Sequence, residues 1–467
     1  MISPILQAKI YSTLGNPSSL VPLAIKDITN SVGMTTSSFI TGKEEGVDRF
    51  IDEFGTEALW LFGIPAYKGL FNITAIMTQG LDYNFDARNF RNPEITKLVQ
   101  EYAPSDLQEK VKKVIANESK YKKLATSKFA MSVGLALATY IGLTKAKQSF
   151  TDKNIRKNIL EEYQEEQKQK MSALQTKEEG TAKSPVFTGW GKVIQDFACD
   201  PVRNMWILDG GITSERLIDA RGTQERIGYA FKEFSALFFM YYAGQKLQTY
   251  LENKAKKLNN RTIKFDARVI ENPALRDAFE KGKIKTDLEA FSKVVDKGLE
   301  LLDEKDIPKE RVAAEEVEIY KFLHHNKDNV IVKTAMESDL IKEHKTFKKN
   351  PSLKDVFTFS LKEKTGNIDT RAYIDIADIK QHYKNLQTLL KEYETREASE
   401  TSEQFFNTLK KLKRGAIRNN IGISMLAMGV IIPAIMVTKR LLAPGDKEFC
   451  RVTEIREKMI KDGTITA

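Results

Sequence analysis

The sequence predicts an all-α membrane protein made of two tandem copies of a helical module. Each copy carries an aromatic apolar segment and a longer transmembrane helix, with charged helices outside the bilayer. Three observations predict it. Two stretches, Phe129–Thr144 and Asn419–Thr438, run without a charge between basic flanks. The tetrapeptide Phe-Asp-Ala-Arg occurs twice, each time within the same series of features. Elsewhere the chain carries helix caps and helical periodicity rather than the alternation of strands.

Bulk composition alone points the other way. Of 467 residues 29% are charged, which suits a soluble protein. The apolar residues, however, are concentrated in a few stretches. The excess of 73 basic over 63 acidic residues leaves a net charge of +10, spread along the chain. Lysines beside apolar segments account for it through attraction to anionic headgroups, so the lipid bilayer is the expected partner and nucleic acid is not. Two cysteines, Cys199 and Cys450, make no disulfide framework. The four histidines lack zinc-site spacing, and solvated or capping roles are expected for them. No metal ligands and no cofactor site are nominated.

Residues 1–37 form an N-terminal segment. Its start, Met1-Ile-Ser-Pro-Ile-Leu, does not read as a cleaved signal peptide, so insertion would rely on internal segments. Residues 38–150 form the first copy and residues 213–295 open the second. Phe85-Asp86-Ala87-Arg88 is followed after three residues by Asn92-Pro93, and Phe265-Asp266-Ala267-Arg268 at the same spacing by Asn272-Pro273. Upstream of each lies an aromatic stretch closing on a lysine, Trp60 to Lys68 and Phe238 to Lys246. Before these lie the similar charged runs Glu44–Phe50 and Gly222–Ile227. Asn-Pro is a ready helix start, with asparagine as cap and proline at the first helical position. That makes the motif structural in preference to an Asp/Arg binding pair. Ser105-Asp106-Leu107-Gln108 adds a capping box for the next helix.

The aromatic stretches are shorter or interrupted. Gly63 and Pro65 break Ala58–Leu81, and Phe234–Gln245 has only about 12 uncharged residues, short for a span. Lys68 is read as an interfacial lysine whose stem is buried while its ammonium reaches water. The protein therefore crosses the membrane two or four times. Phe129–Thr144 places Ala130, Gly134, Ala138 and Gly142 at every fourth position, a smooth ribbon that invites a second helix backbone. Asn419–Thr438, with Gly422 and Gly429, is the expected partner, kinked at Pro433. Basic residues flank both segments on both sides, so the Lys/Arg count selects neither orientation.

Residues 151–212 read as a charged helix and linker, with a turn at Asp209-Gly210-Gly211. The second copy is longer than the first by about 110 residues, a charged helical insertion at 296–402. Within it Ile379, Tyr383, Leu386, Leu390 and Tyr393 give one apolar face, expected to pack on its own domain. Residues 403–467 complete the second copy, ending in a tail.

No nucleotide loop, nucleophile elbow or paired-carboxylate pattern is present, so no catalytic residues are nominated and no enzyme is expected. The first functional reading is a non-enzymatic scaffold or membrane-organising protein, joined to a protein partner or a second copy through the helical insertion. The alternative is a small-solute transporter or channel at the repeat interface, as an oligomer if the spans are few.

Overall fold

The computed structural model describes residues 4–16, 19–167, 200–220, 223–295, 308–352, 355, 361–442 and 452–465. Cys199, Cys450 and the linker around Gly180 lie outside them. The chain is mostly helical. It divides into two compact units that do not follow sequence order. Unit 1 comprises Met1–Ser19, Phe71–Ser127 and Leu247–Asn419, and unit 2 comprises Leu20–Leu70, Lys128–Lys246 and Asn420–Ala467. The expected tandem copies are thus each split between both units.

Unit 1 has an apolar core with a charged exterior. Short helices such as Pro93–Glu101, Pro273–Glu280 and Lys283–Ser292 pack with Lys309–His325, Val330–Glu337 and Ile376–Glu394. Val99, Leu275, Phe291, Ile331, Ile379 and Leu386 form its centre. The apolar face of Ile376–Glu394 does pack on this core: Ile379, Tyr383 and Leu386 are buried, and Leu390 and Tyr393 lie against it. The insertion is not wholly helical. Strands Glu343–Phe347 and Lys362–Ile368 form an antiparallel pair in which Thr346 faces Glu363 and Glu343 faces Ile368. Two histidines depart from the solvated role expected of them. His344 and His382 are buried, and His382 shares a hydrogen bond of 2.7 Å with the Thr334 hydroxyl.

The two Phe-Asp-Ala-Arg motifs, both in unit 1, make the same bonds. Asp86 accepts from the Arg88 amide at 2.9 Å and Asp266 from the Arg268 amide at 2.8 Å. Each arginine folds back onto its own aspartate, and Phe85 and Phe265 are buried. Asn92 caps Pro93–Glu101 and Asn272 caps Pro273–Glu280, with Pro93 and Pro273 at the first helical positions. A third turn of this form appears at Asp369-Thr370-Arg371, where Asp369 takes the Arg371 amide and guanidinium. Six residues after Asp369, Asp375 caps Ile376–Glu394, the same spacing as Asp86 to Asn92. Without Phe and Ala this copy does not stand out in the sequence. The expected capping box at Ser105 does not form, and Gln108–Ala116 starts after Leu107 with no side-chain cap.

Unit 2 is a bundle of longer helices. Val21–Thr41 packs on Lys43–Ala58, which continues through a π turn, Leu59–Gly63, into Ile64–Phe71. Gly63 and Pro65 therefore do not interrupt the segment; the wider turn absorbs the proline's missing donor. Pro201–Ile218 packs on Thr223–Leu237, which ends in a second π turn, Phe238–Ala243. Ser402–Leu426 carries its end into unit 2 and passes a third, Ala427–Ile431, before Ile432–Leu442. That last turn precedes Pro433, the residue expected to kink the helix.

Asp209-Gly210-Gly211 is no turn but the middle of Pro201–Ile218. A Cβ at Gly211 would stand 2.8 Å from Leu137 Cδ2, so close helix approach outweighs glycine's poor helix propensity. The predicted ribbon is also corrected. Ala130, Gly134, Ala138 and Gly142 all face outward, and a Cβ at Gly134, Gly142 or Gly422 would meet nothing. The opposite face of that helix, with Phe129, Val133, Ala136 and Tyr140, packs inward. Gly429 does lie at a close crossing, but with Val21–Thr41: a Cβ there would stand 2.5 Å from Thr29 Cγ2, and one at Gly33 would collide with the Gly429 carbonyl. Small residues had little apolar area to bury, whereas Phe129 and Val133 did.

Candidate functional site

The interior of unit 2 holds charges. Along Lys43–Ala58, Asp48, Arg49, Asp52, Glu53 and Glu57 are buried, while Phe50 is 50% exposed. The spacings 48/52, 49/53 and 53/57 put these ionisable groups on one helix face. Thr223–Leu237 repeats the inversion. Ile227, Phe231, Phe234 and Phe238 recur at helical spacing and are exposed, whereas Glu225, Tyr229, Lys232 and Glu233 are buried.

The buried groups form a connected network. Asp52 is its hub: Lys147 reaches Oδ1 at 3.2 Å, Arg216 reaches Oδ2 at 3.2 Å, and the Tyr140 hydroxyl donates to Oδ1 at 3.2 Å. Lys147 also lies 3.6 Å from Asp48, which accepts from Thr151 at 2.7 Å. Arg49 pairs with Glu53 at 3.2 Å and stacks over Tyr229. Lys232 bridges two helices, 2.6 Å from Glu53 and 2.8 Å from Glu233, and Arg216 closes the circuit on Glu233. Four cations thus face the four carboxylates Asp48, Asp52, Glu53 and Glu233. Removing such charges from water costs several kcal/mol each, and only this degree of mutual pairing offsets it.

Beside the balanced network lies a cavity of about 30 Å³. Its lining adds three carboxyl groups, Asp27, Glu57 and Asp209, to Glu53, Glu233, Arg216 and Lys232. Among the described residues no lysine or arginine forms an ion pair with any of the three. Glu57 accepts from Ser31 at 3.1 Å, Asp209 accepts from the Tyr241 hydroxyl, and Asp27 lies within hydrogen-bond reach of Glu57. Among the described residues no three His, Cys, Asp or Glu side chains are grouped to hold a metal ion.

Neither the repeat motif nor the ribbon belongs to this site, whereas Asp209, expected in a turn, lines its cavity, and Asp48 and Arg49 come from the charged run Glu44–Phe50. The ribbon faces away from it, and the Asp-x-Arg turns build unit 1. Lys68 donates to Asn204 at 3.1 Å, and Lys246 lies over the Tyr242 ring. The signal that would have found the network is the charged run just upstream of each aromatic stretch. Read as helices, both runs place large apolar residues on one face and ionisable ones on the other. That pattern looks the same whichever face is buried.

Two helices, Glu118–Tyr163 and Ser402–Lys439, are long and apolar enough to cross a membrane. Comparisons with protein-family models, with curated proteins and with solved structures find no match to this chain.

Proposed function

We propose that this is an integral membrane protein whose unit 2 lies in the bilayer and works as a proton-coupled transporter of small solutes. The observation that carries the reading is the inverted polarity of two unit 2 helices, Lys43–Ala58 and Thr223–Leu237, with charges inside and Phe50, Phe231 and Phe234 outside, as are Phe62 and Phe238 of the π turns that follow. A row of exposed phenylalanines along a helix whose charges are buried suits lipid better than water. Ionisable residues at membrane depth face a bundle interior and mark ion or proton pathways. Charged helices such as Lys43–Ala58 would then add crossings beyond the two uncharged segments.

An internal duplication fits this reading. The π turns Leu59–Gly63 and Phe238–Ala243 follow corresponding charged helices. Glu53-Phe54-Gly55 and Glu233-Phe234-Ser235 lie at matching positions, and both glutamates contact Lys232. Transporter sites commonly lie where two such repeats meet.

The test is a carbonate wash of membranes, then reconstitution of the full chain with a pH-sensitive dye trapped inside the liposomes. We expect the protein to stay in the pellet and to collapse an imposed pH gradient faster than protein-free liposomes, less so in Asp52→Asn. Recovery in the wash defeats the membrane reading. A gradient that lasts as long as in protein-free liposomes defeats transport. That outcome favours the second reading, a non-enzymatic membrane-organising scaffold, which the cavity supports by having room for a water rather than a solute.

A further inference from the structure

We infer that Asp27 and Glu57 form a proton-binding site: one exchangeable proton is held between their carboxyl groups, on the cavity between Val21–Thr41 and Lys43–Ala58. The inference rests on the transport reading above and names its coupling ion. The Asp27 and Glu57 carboxyls lie within hydrogen-bond reach of each other. Ionised carboxylates only accept, so the contact needs a proton on one of them. Glu57 is 5% exposed; its Oε1 takes the Ser31 hydroxyl at 3.1 Å, while no donor among the described residues reaches Oε2. A buried acceptor without a donor is costly, and a proton on the pair removes that cost.

The surroundings favour a proton over a metal ion. The cavity is lined by the carboxyls of Asp27, Glu53, Glu57, Asp209 and Glu233, against the cations Arg216 and Lys232. Arg216 and Lys232 are engaged by Glu53, Glu233 and Asp52, and the Tyr241 hydroxyl occupies Asp209. The surplus negative charge therefore falls on Asp27, Glu57 and Asp209, and of these Asp27 and Glu57 are the two that meet each other, while Asp209 meets the neutral Tyr241 hydroxyl. Binding one proton takes the pair from −2 to −1, and releasing it into the cavity restores −2. No other bond changes.

The test uses the full chain in lipid nanodiscs, with infrared difference spectra on proton–deuterium exchange at neutral pH. A protonated-carboxyl C=O band should be present and shift on deuteration. Glu57→Gln should abolish it, and Asp27→Asn should abolish or displace it. Ser31→Ala should shift the band without removing it, and serves where Glu57→Gln does not fold. Absence of the band at neutral pH, or a band unchanged in all three variants, overturns the site. A band displaced by sodium ions but not by potassium ions assigns the pair to sodium and also overturns it. A wild-type protein that shows the band but collapses no pH gradient keeps the site and removes the transport reading.

Discussion

Unit 1 buries an apolar core, whereas unit 2 buries a network of charges beside its own apolar core. In unit 1 Phe85, Phe265, Phe291 and Phe405 are inside, and ion pairs such as Lys97–Glu94 and Arg276–Glu280 lie on the surface. In unit 2 Asp48, Arg49, Asp52 and Lys232 are inside, and the phenylalanines of Thr223–Leu237 are outside. The same two residue classes trade places, so a side chain's polarity does not by itself say where it goes. What decides is whether its partners are there. A surface ion pair contributes at most about 1 kcal/mol, whereas a buried one is tolerated only when each charge is met.

That contrast is broken most directly at Arg216, which pairs with Asp52 and Glu233. Arg216→Ala leaves the four buried carboxylates only three cations, with Asp52 held by Lys147 and Glu233 by Lys232, and should destabilise unit 2 by about 3–5 kcal/mol. Arg276→Ala in unit 1, by contrast, removes an exposed pair that water screens and should leave stability nearly unchanged. Thermal unfolding of the two variants in the same lipid checks it. Equal losses would mean that the interior of unit 2 is as wet as the surface of unit 1.

The second measurement concerns acid. Burial pushes His382 of unit 1 down to about 4, and His324, between Tyr102 and Tyr320, down to about 3. Between the ordinary histidine value of about 6.5 and these values, the unfolded chain binds a proton that the folded chain refuses. Unit 1 should therefore keep full stability above that window and lose it progressively as the pH falls toward 4. The loss from His382 is on the order of 3 kcal/mol. Hydrogen exchange of unit 1 peptides between neutral pH and pH 4 reads this, and His382→Gln should flatten the slope. An unchanged slope in that variant would place the acid sensitivity elsewhere.

The smallest effects sharpen the picture of unit 2 itself. Gly33→Leu thrusts a side chain at the Gly429 carbonyl and should cost about 1–3 kcal/mol. Gly134→Leu, on the outward ribbon, should stay within about 0.5 kcal/mol. Crosslinking between cysteines placed on Val21–Thr41 and Ile432–Leu442 should fall in the first variant and hold in the second. The reverse result would restore the ribbon as the packing face.

Much of the local structure is legible in the residues. Asn92, Asn272 and their prolines mark helix starts because capping is a contact between near neighbours, and Ile379, Tyr383 and Leu386 mark a buried face for the same local reason. The two uncharged segments stand out because length and hydropathy add along the chain. The candidate site was not legible. Asp52 meets Lys147 and Arg216 across separations of 95 and 164 residues (147 − 52 and 216 − 52), and no local pattern announces such a meeting. Hydropathy counts the charges of Lys43–Ala58 without asking whether they are paired.

The sequence by itself determined the predominance of helix, the Asn92 and Asn272 caps, the paired Phe-Asp-Ala-Arg turns and the two long apolar stretches, all of which depend on residues within a few turns of one another. Tertiary structure alone decided which faces are buried. It placed Gly429 against Gly33 rather than against the ribbon, set Asp209 in a helix beside a cavity, and enclosed four cations among four carboxylates. The physical reason is that a helical stripe has a direction but no address. A buried charge is stable only where opposite charges from distant segments converge on it, and the fold, not the local sequence, makes them converge.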